Sequence, residues 1–211
     1  MQVPNPPAPK EKETSRFEAF SDGVFAIAIT LLILDLKAPE LGEAATNAQL
    51  FKALLHQWPN YIGLITSFFT ILIMWIHHHA LVRNIARTDV LLHFANGLLL
   101  LGITFVPYPT GVLTTYFESP AAKAATAFYA GTFVFIAACF YFFVRVAFRP
   151  GFLVANASPE FIAKTKRSYN FGPPLYIIAT LSASIDPRLC LLICTALWIF
   201  WATSITKNTR D

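Results

Sequence analysis

Charge is the first thing in short supply. Only 13% of the 211 residues are Asp, Glu, Lys or Arg, against 55% apolar and 15% aromatic, and that balance excludes an ordinary soluble surface. Cysteine is scarce as well. Cys139, Cys190 and Cys194 are odd in number, fall inside apolar runs and lack metal-ligand spacing, so they read as buried free thiols. No internal repeat is visible. The first fifteen residues are rich in proline and mixed in charge, without the basic-then-apolar layout of a signal peptide, and the expectation for 1–15 is a disordered cytoplasmic tail. No nucleophile, base and metal assembly gathers at any one depth, which makes an enzyme the weakest reading and leaves no cofactor to expect. Asn156-Ala157-Ser158 matches a glycosylation acceptor, but Pro159 follows it and the flanking charge places it inside, so it reads as a chance match.

What the chain does have is long apolar runs. A helix needs about 20 residues to cross a hydrocarbon core of about 30 Å. Six stretches approach that length: 17–36, 58–79, 90–106, 121–146, 169–185 and 188–205. The fifth is the weakest, being short and opened by Pro173-Pro174. The expectation is an all-α polytopic membrane protein with a six-helix domain over 16–206. Its orientation follows from Lys and Arg, which collect on cytoplasmic flanks. With the N-terminus inside, twelve of the sixteen fall on the cytoplasmic side, and only Lys37, Lys52, Lys123 and Arg188 fall outside. Both termini are therefore expected in the cytoplasm. The net charge of +4 is a topology signal and gives no reason to expect nucleic acid.

Along the chain, the first helix carries Ser21 and Asp22 just inside its cytoplasmic mouth. An ionisable group at that depth costs several kcal/mol unless partnered, which makes it a functional or architectural site. The second helix returns inward through Trp75 to His77, His78 and His79, and the third starts on the same side with Asp89, His93 and Asn96. These groups share one layer, where imidazole and amide can replace water around a carboxylate and a hydroxyl. The segment 38–50 reads as an external loop, with room for a short surface helix before Trp58. Pro107-Tyr108-Pro109-Thr110 is expected to stop the third helix in an outer turn. About twenty residues then connect the fourth and fifth helices on the inner side, with Lys164, Lys166 and Arg167 anchoring near headgroups.

At about 100° per residue, Gly23, Ile27, Thr30, Leu31 and Leu34 share one face of the first helix. Ser21 and Asp22 point away from it, toward the chain's own second and third helices. Hydropathy does not single out the Ile27 face, because the helix is apolar all round. A stripe of this kind is usually plain packing. Adjacent histidines on a helix point about 100° apart, so His77, His78 and His79 do not converge on a metal. Thr30 alone reads as a hydroxyl bonding back to its own helix.

Arg16-x-x-x-Phe20-Ser21-Asp22, followed in order by Trp75, His77, His78, Asn96 and Pro107-x-Pro109-Thr110, resembles the transmembrane protein 175 family of potassium channels. The resemblance covers the span count and most of the first three helices. Animal members carry two six-helix repeats, so a chain with one is similar to a prokaryotic member that assembles as a homotetramer in the plasma membrane. The resemblance implies a pore lined by the first helix, an apolar constriction at Ile27, further layers at Leu31 and Leu34, and a hydroxyl layer at Thr30. It also implies a structural hydrogen-bond network behind the pore, made by Arg16, Phe20, Ser21, Asp22, Trp75, His77 and Asn96.

The chain has no Thr-Val-Gly-Tyr-Gly carbonyl filter. A ring of isoleucines coordinates no cation, but it dewets when narrow and, when wider, disfavours the ion that holds its water more tightly. Modest preference for potassium over sodium is the expected result. Two rivals stand beside the channel: a proton-coupled transporter using Asp22 and the His77/Asn96 layer, and a non-conducting membrane scaffold. Neither a second acid in the hydrocarbon centre nor an inverted repeat favours the transporter.

Overall fold

The computed structural model describes residues 9–155 and 157–208, and all regular structure among them is helical. Helix α1 spans Pro9–Leu31 and tightens into a 3-10 turn over Leu32–Asp35; α2 is Asn47–His56, α3 Trp58–Val82, α4 Val90–Phe105, α5 Pro107–Tyr116, α6 Ala122–Ala147, α7 Pro159–Ser182 and α8 Pro187–Asn208. Five of these stretches are long and apolar enough to cross a membrane: Thr14–Leu34, Trp58–Val82, Val90–Tyr116, Ala122–Ala147 and Pro187–Ser204. The chain is an all-α membrane protein.

Several boundaries depart from the sequence reading. Residues 9–15, assigned above to a disordered tail, belong to α1, while 1–8 and the glycosylation match at 156 lie outside the described residues. Leu34 falls in the 3-10 turn rather than on the α-helix proper. Pro107 and Pro109 do not end the third span; they open α5, which carries the span on to Tyr116. Proline in a first helical turn removes a donor that would be unpaired there anyway, so the pair starts a helix as readily as it stops one. Thr110 Oγ1 donates to Val106 O at 2.9 Å and ties the two pieces together. The fifth stretch is helical from Pro159 to Ser182 straight through Pro173 and Pro174, which shortens the expected connector, but its polar first half keeps it below membrane-crossing apolarity.

The surface helix before Trp58 is present. Its start is a capping box, with Thr46 Oγ1 accepting from Gln49 N and Gln49 Oε1 accepting from Thr46 N. The bundle is centred on α6, which touches α4, α5, α7 and α8, while α1 lies in the angle between α3 and α4. Close approach is allowed by small residues: a Cβ on Gly102 of α4 would meet Ile136 Cγ1 of α6 at 2.9 Å. At the end of the bundle holding Ser21, the α3–α4 and α6–α7 connectors pair through an antiparallel bridge between Ile85 and Leu153.

Candidate functional site

The inner face of α1 is made by Phe17, Ser21, Phe25, Ala28 and Leu32, all buried. Their spacing of four, four, three and four residues is one helical stripe. Ser21 is fully enclosed, and each polar group around it has a partner. Asn96 Nδ2 donates to Ser21 Oγ at 2.9 Å, and Ser21 Oγ donates to Phe17 O at 3.0 Å. With its amide nitrogen so engaged, Asn96 uses Oδ1 to accept from His78 Nε2 at 2.8 Å. The relay therefore runs His78 to Asn96 to Ser21 to the backbone of α1, joining α3, α4 and α1. The His78 ring, 1% exposed, is held between Phe25 and Phe143 with both centroids at 5.4 Å. A buried hydrogen-bonded relay of this kind fixes one packing of the helices.

A second seam runs along the flank of the same interface. Trp75 Nε1 donates to Asp22 Oδ1 at 2.8 Å, and one turn further along both helices His79 Nδ1 lies 2.9 Å from Glu18 Oε1. The latter is a close approach rather than an aligned hydrogen bond. The Trp75 indole stacks on the His79 ring at 5.7 Å. Among the described residues, Glu18, Asp22 and His79 offer ligand atoms within 4.8 Å of one another, close enough to share a cation. All three already have a neighbour: Asp22 accepts from Trp75, and Glu18 and His79 lie against each other.

The opposite face of α1 is bare. Ile27 is 58% exposed, Leu31 40% and Leu34 67%, and Gly23 and Thr30 are exposed beside them. Thr30 Oγ1 donates to Ile27 O at 2.9 Å, so its proton is spent on its own helix while its lone pairs face outward.

Of the network that the resemblance implies, Ser21 bonds Asn96 and Asp22 bonds Trp75, Arg16 and Phe20 line an open cleft that reaches Asn96, and His77 makes its bonds elsewhere. His77 faces away from α1: its Nε2 donates to Trp201 O at 3.1 Å and its Nδ1 accepts from Tyr169 OH at 3.2 Å. Two residues past Trp75 is the far side of a helix, whereas three and four residues past it share Trp75's side, and those are His78 and His79. Arg16 and Phe20 are exposed at an open cleft with Asp89 and His93, Phe20 at 64%. The buried aromatic is Phe17, edge-on to His93 at 5.3 Å.

The α4 terminus that carries Asn96 is anchored separately. Asp89 caps it, accepting from Leu92 N at 2.8 Å, and its other oxygen accepts from Arg149 at 2.8 Å. The Leu92 amide, with Arg149 beside it, holds the Asp89 carboxyl below the usual carboxylate range. Arg149 also donates to Val146 O and lies over the Phe152 ring at 4.2 Å, which fastens the two paired connectors. Thr110, of the Pro-x-Pro-Thr stretch, meets Ser67 of α3 at 2.8 Å between hydroxyls.

The chain is similar to known ion channels. A potassium channel of Chamaesiphon minutus is 41% identical over 196 residues, covering 92% of this chain and 96% of that one. The chain belongs to the TMEM175 family. The family model described as endosomal/lysosomal potassium channel TMEM175 matches residues 16–107, which run from within α1 to the first residue of α5 and include every hydrogen-bonded side chain of both seams. A crystal structure of a lysosomal potassium-selective channel TMEM175 homolog from Chamaesiphon minutus aligns with TM-score 0.83 and 40% identity over 92% of this chain and 98% of that one. The endosomal/lysosomal proton channel TMEM175 of Gallus gallus is 41% identical over 105 residues, 47% of this chain but 20% of its own length. TMEM175 is an ion-channel family and not an enzyme family.

Proposed function

We propose that this chain is one subunit of a homotetrameric potassium channel in the plasma membrane of a prokaryote, with six spans per subunit and both termini cytoplasmic. Four copies of α1 surround the axis and turn the Ile27 face inward. What carries this reading is the contrast on one helix: the polar side of α1 is consumed inside the subunit, while Ile27, Leu31 and Leu34 stand bare in a single chain. Relatives named as potassium channels support the same assignment.

In this pore the Ile27 ring is the constriction, and Leu31 and Leu34 extend it. Apolar walls supply no ligands, so a passing ion keeps most of its water and yields only what the narrowing strips from it. Potassium yields water more readily than sodium, and a modest preference follows. The lone pairs of Thr30, facing outward beside Ile27, offer a polar ring next to the constriction.

Ile27→Asn tests the assignment. Reversal potentials measured with potassium on one side and sodium on the other should shift toward equality, with relative sodium permeability rising several-fold. An unchanged reversal potential removes Ile27 from the constriction. The half-buried group of Glu18, Asp22 and His79, together with a relative named as a proton channel, keeps proton movement as a second reading. Liposome flux with potassium, sodium and a protonophore separates them: passive potassium flux supports the channel, and flux locked to the proton gradient supports coupled transport.

A further inference from the structure

Helices α6 and α7 run antiparallel in a register held by facing aromatics: Phe148 with Phe161 at 6.1 Å, Phe140 with Tyr169 at 5.6 Å and Phe133 with Tyr176 at 5.8 Å. Because α6 is apolar enough to cross a membrane, the part of α7 packed along it lies at membrane depth as well. Where that part is exposed it is apolar. Pro174, Ile177, Ile178 and Leu181 are exposed on the side of α7 that carries Asn170. From Asn170 to Leu181 is about 16 Å of helix, close to half of a hydrocarbon core of about 30 Å.

At the Ser21 end of the bundle this strip meets cations. Arg145, in the last turn of α6, donates from Nη2 to Asn170 Oδ1 at 3.3 Å and lies 5.1 Å over the Tyr141 ring. Those contacts hold the guanidinium across the seam, and the bond to Asn170 takes only part of its fork of donors. Lys166 and Arg167 stand one helical turn before Asn170 on its side of α7. Arg145 and Arg167 are exposed and Lys166 is half-buried. Among the described residues none of the three has a carboxylate within ion-pairing distance, whereas Arg149, one turn beyond Arg145, is paired with Asp89.

Lys and Arg drawn diffusely to headgroups need no site. What makes one here is a cation from the neighbouring helix, fixed on Asn170 at the head of an apolar strip one leaflet long. An acidic peptide would match the charge but lay its backbone on Ile177 and Leu181 in lipid, where unpaired polar groups are costly. A free phosphate ester would use the cations and nothing of the strip. A phospholipid uses both. The seam is also reachable: α7 packs on α6 and α8, while α1 packs on α3 and α4, so an assembly built around α1 leaves α7 at its periphery.

We propose that each subunit binds one anionic phospholipid at the seam of α6 and α7, with its phosphate on Arg145, Lys166 and Arg167 and an acyl chain along Pro174 to Leu181. The site rests on α7 lying in the bilayer as one of six spans and on nothing about the pore.

Native mass spectrometry of the full-length protein, delipidated in detergent and titrated with phosphatidylglycerol or phosphatidylcholine of the same chains, counts lipids per subunit. One phosphatidylglycerol should bind each subunit with about tenfold higher affinity than phosphatidylcholine. Arg145→Gln should weaken phosphatidylglycerol by about fivefold, the weight of one cation at an anionic surface, and leave phosphatidylcholine unchanged. The double variant Lys166→Gln, Arg167→Gln should weaken it further. Arg83→Gln, which removes an exposed cation from the connector of α3 and α4, should change neither lipid. Glycerol phosphate at the lipid's concentration should displace nothing. Equal affinity for the two lipids, or as large a loss with Arg83→Gln as with Arg145→Gln, overturns the proposal in favour of diffuse charge. Displacement by glycerol phosphate overturns it in favour of a soluble ester. The span is tested separately with bimane on Ile178→Cys in nanodiscs, the native cysteines being buried. Emission as in hydrocarbon is expected, and emission as in water removes α7 from the bilayer and the site with it.

Discussion

The two faces of α1 use opposite chemistry under the same constraint. One face holds Ser21 and Asp22, groups that are costly in a membrane, and each is matched by a partner from α3 or α4. The other holds Ile27, Leu31 and Leu34, which cost nothing in lipid yet are unmatched in the subunit. Between helices in lipid there is little hydrophobic drive, so polar pairing and close packing decide which face is held. The polar face is therefore the one that anchors, and the apolar face is free to be used elsewhere. A rigid α1 is also what a constriction requires, since a ring of side chains discriminates only if its radius is kept.

If that division is right, damage to the anchoring face should appear chiefly as lost stability. The largest effect is expected from Asn96→Ala, which strands the buried His78 donor and leaves Ser21 without its amide partner. Loss of two buried hydrogen bonds with their partners left in place should cost on the order of 2–4 kcal/mol, read as a drop in the thermal unfolding midpoint of the purified protein. Potassium preference of the protein that stays folded should remain near that of the parent. A loss of preference without loss of stability would break the comparison.

The histidines sharpen it. His78→Phe removes the head of the relay and should cost about 2 kcal/mol. His77→Phe, which gives up Trp201 O and Tyr169 OH on the far side of α3, should cost about 1 kcal/mol and leave the α1 seam untouched. Midpoints from the same unfolding assay check the order, and the reverse order would return His77 to the network.

Much of this was legible in the chain before any coordinates, and the parts that were not share a cause. The long apolar helices, the place of Ser21 and Asp22 near the start of the first, and their meeting with Trp75 and Asn96 follow from counting residues from a helix end. The choice of His78 over His77 follows from angle, about 100° per residue, and was available from Trp75's own position. Depth without angle picks the right layer and the wrong neighbour. Phe17 was likewise within reach, since it lies four residues before Ser21 on the same face, while Phe20 lies one residue away and points outward. Pro107 and Pro109 were a different difficulty. A proline pair fits the end of one helix or the first turn of the next, and only the resumption of α5 decides between them. The amino-terminal part of the Pro159–Ser182 helix, ahead of the expected 169–185, was hidden for a third reason: it is polar, and its stability comes from lying along α6 and from the Ser158 cap on Phe161 N rather than from hydropathy.

On the bare face, substitutions should be nearly silent in stability and visible in permeation. Ile27→Asn should change the unfolding midpoint by the equivalent of no more than about 0.5 kcal/mol while moving the reversal potential as described. Thr30→Val is the finest test. It keeps the volume and removes one hydroxyl, whose hydrogen bond to Ile27 O is exposed and local, so the stability change should again stay within about 0.5 kcal/mol. The hydroxyl's lone pairs are the only polar atoms among Ile27, Thr30, Leu31 and Leu34 side chains. If they assist the ion beside the constriction, Thr30→Val should lower unitary potassium conductance and shift the potassium-to-sodium reversal potential by less than Ile27→Asn does, because the isoleucine ring that strips the water is intact. Thr30→Ser, which restores the hydroxyl on a smaller side chain, should recover the conductance. Equal conductance in parent, Val and Ser channels would mean that the hydroxyl serves its own helix alone, and the apolar ring would then carry the whole of the discrimination.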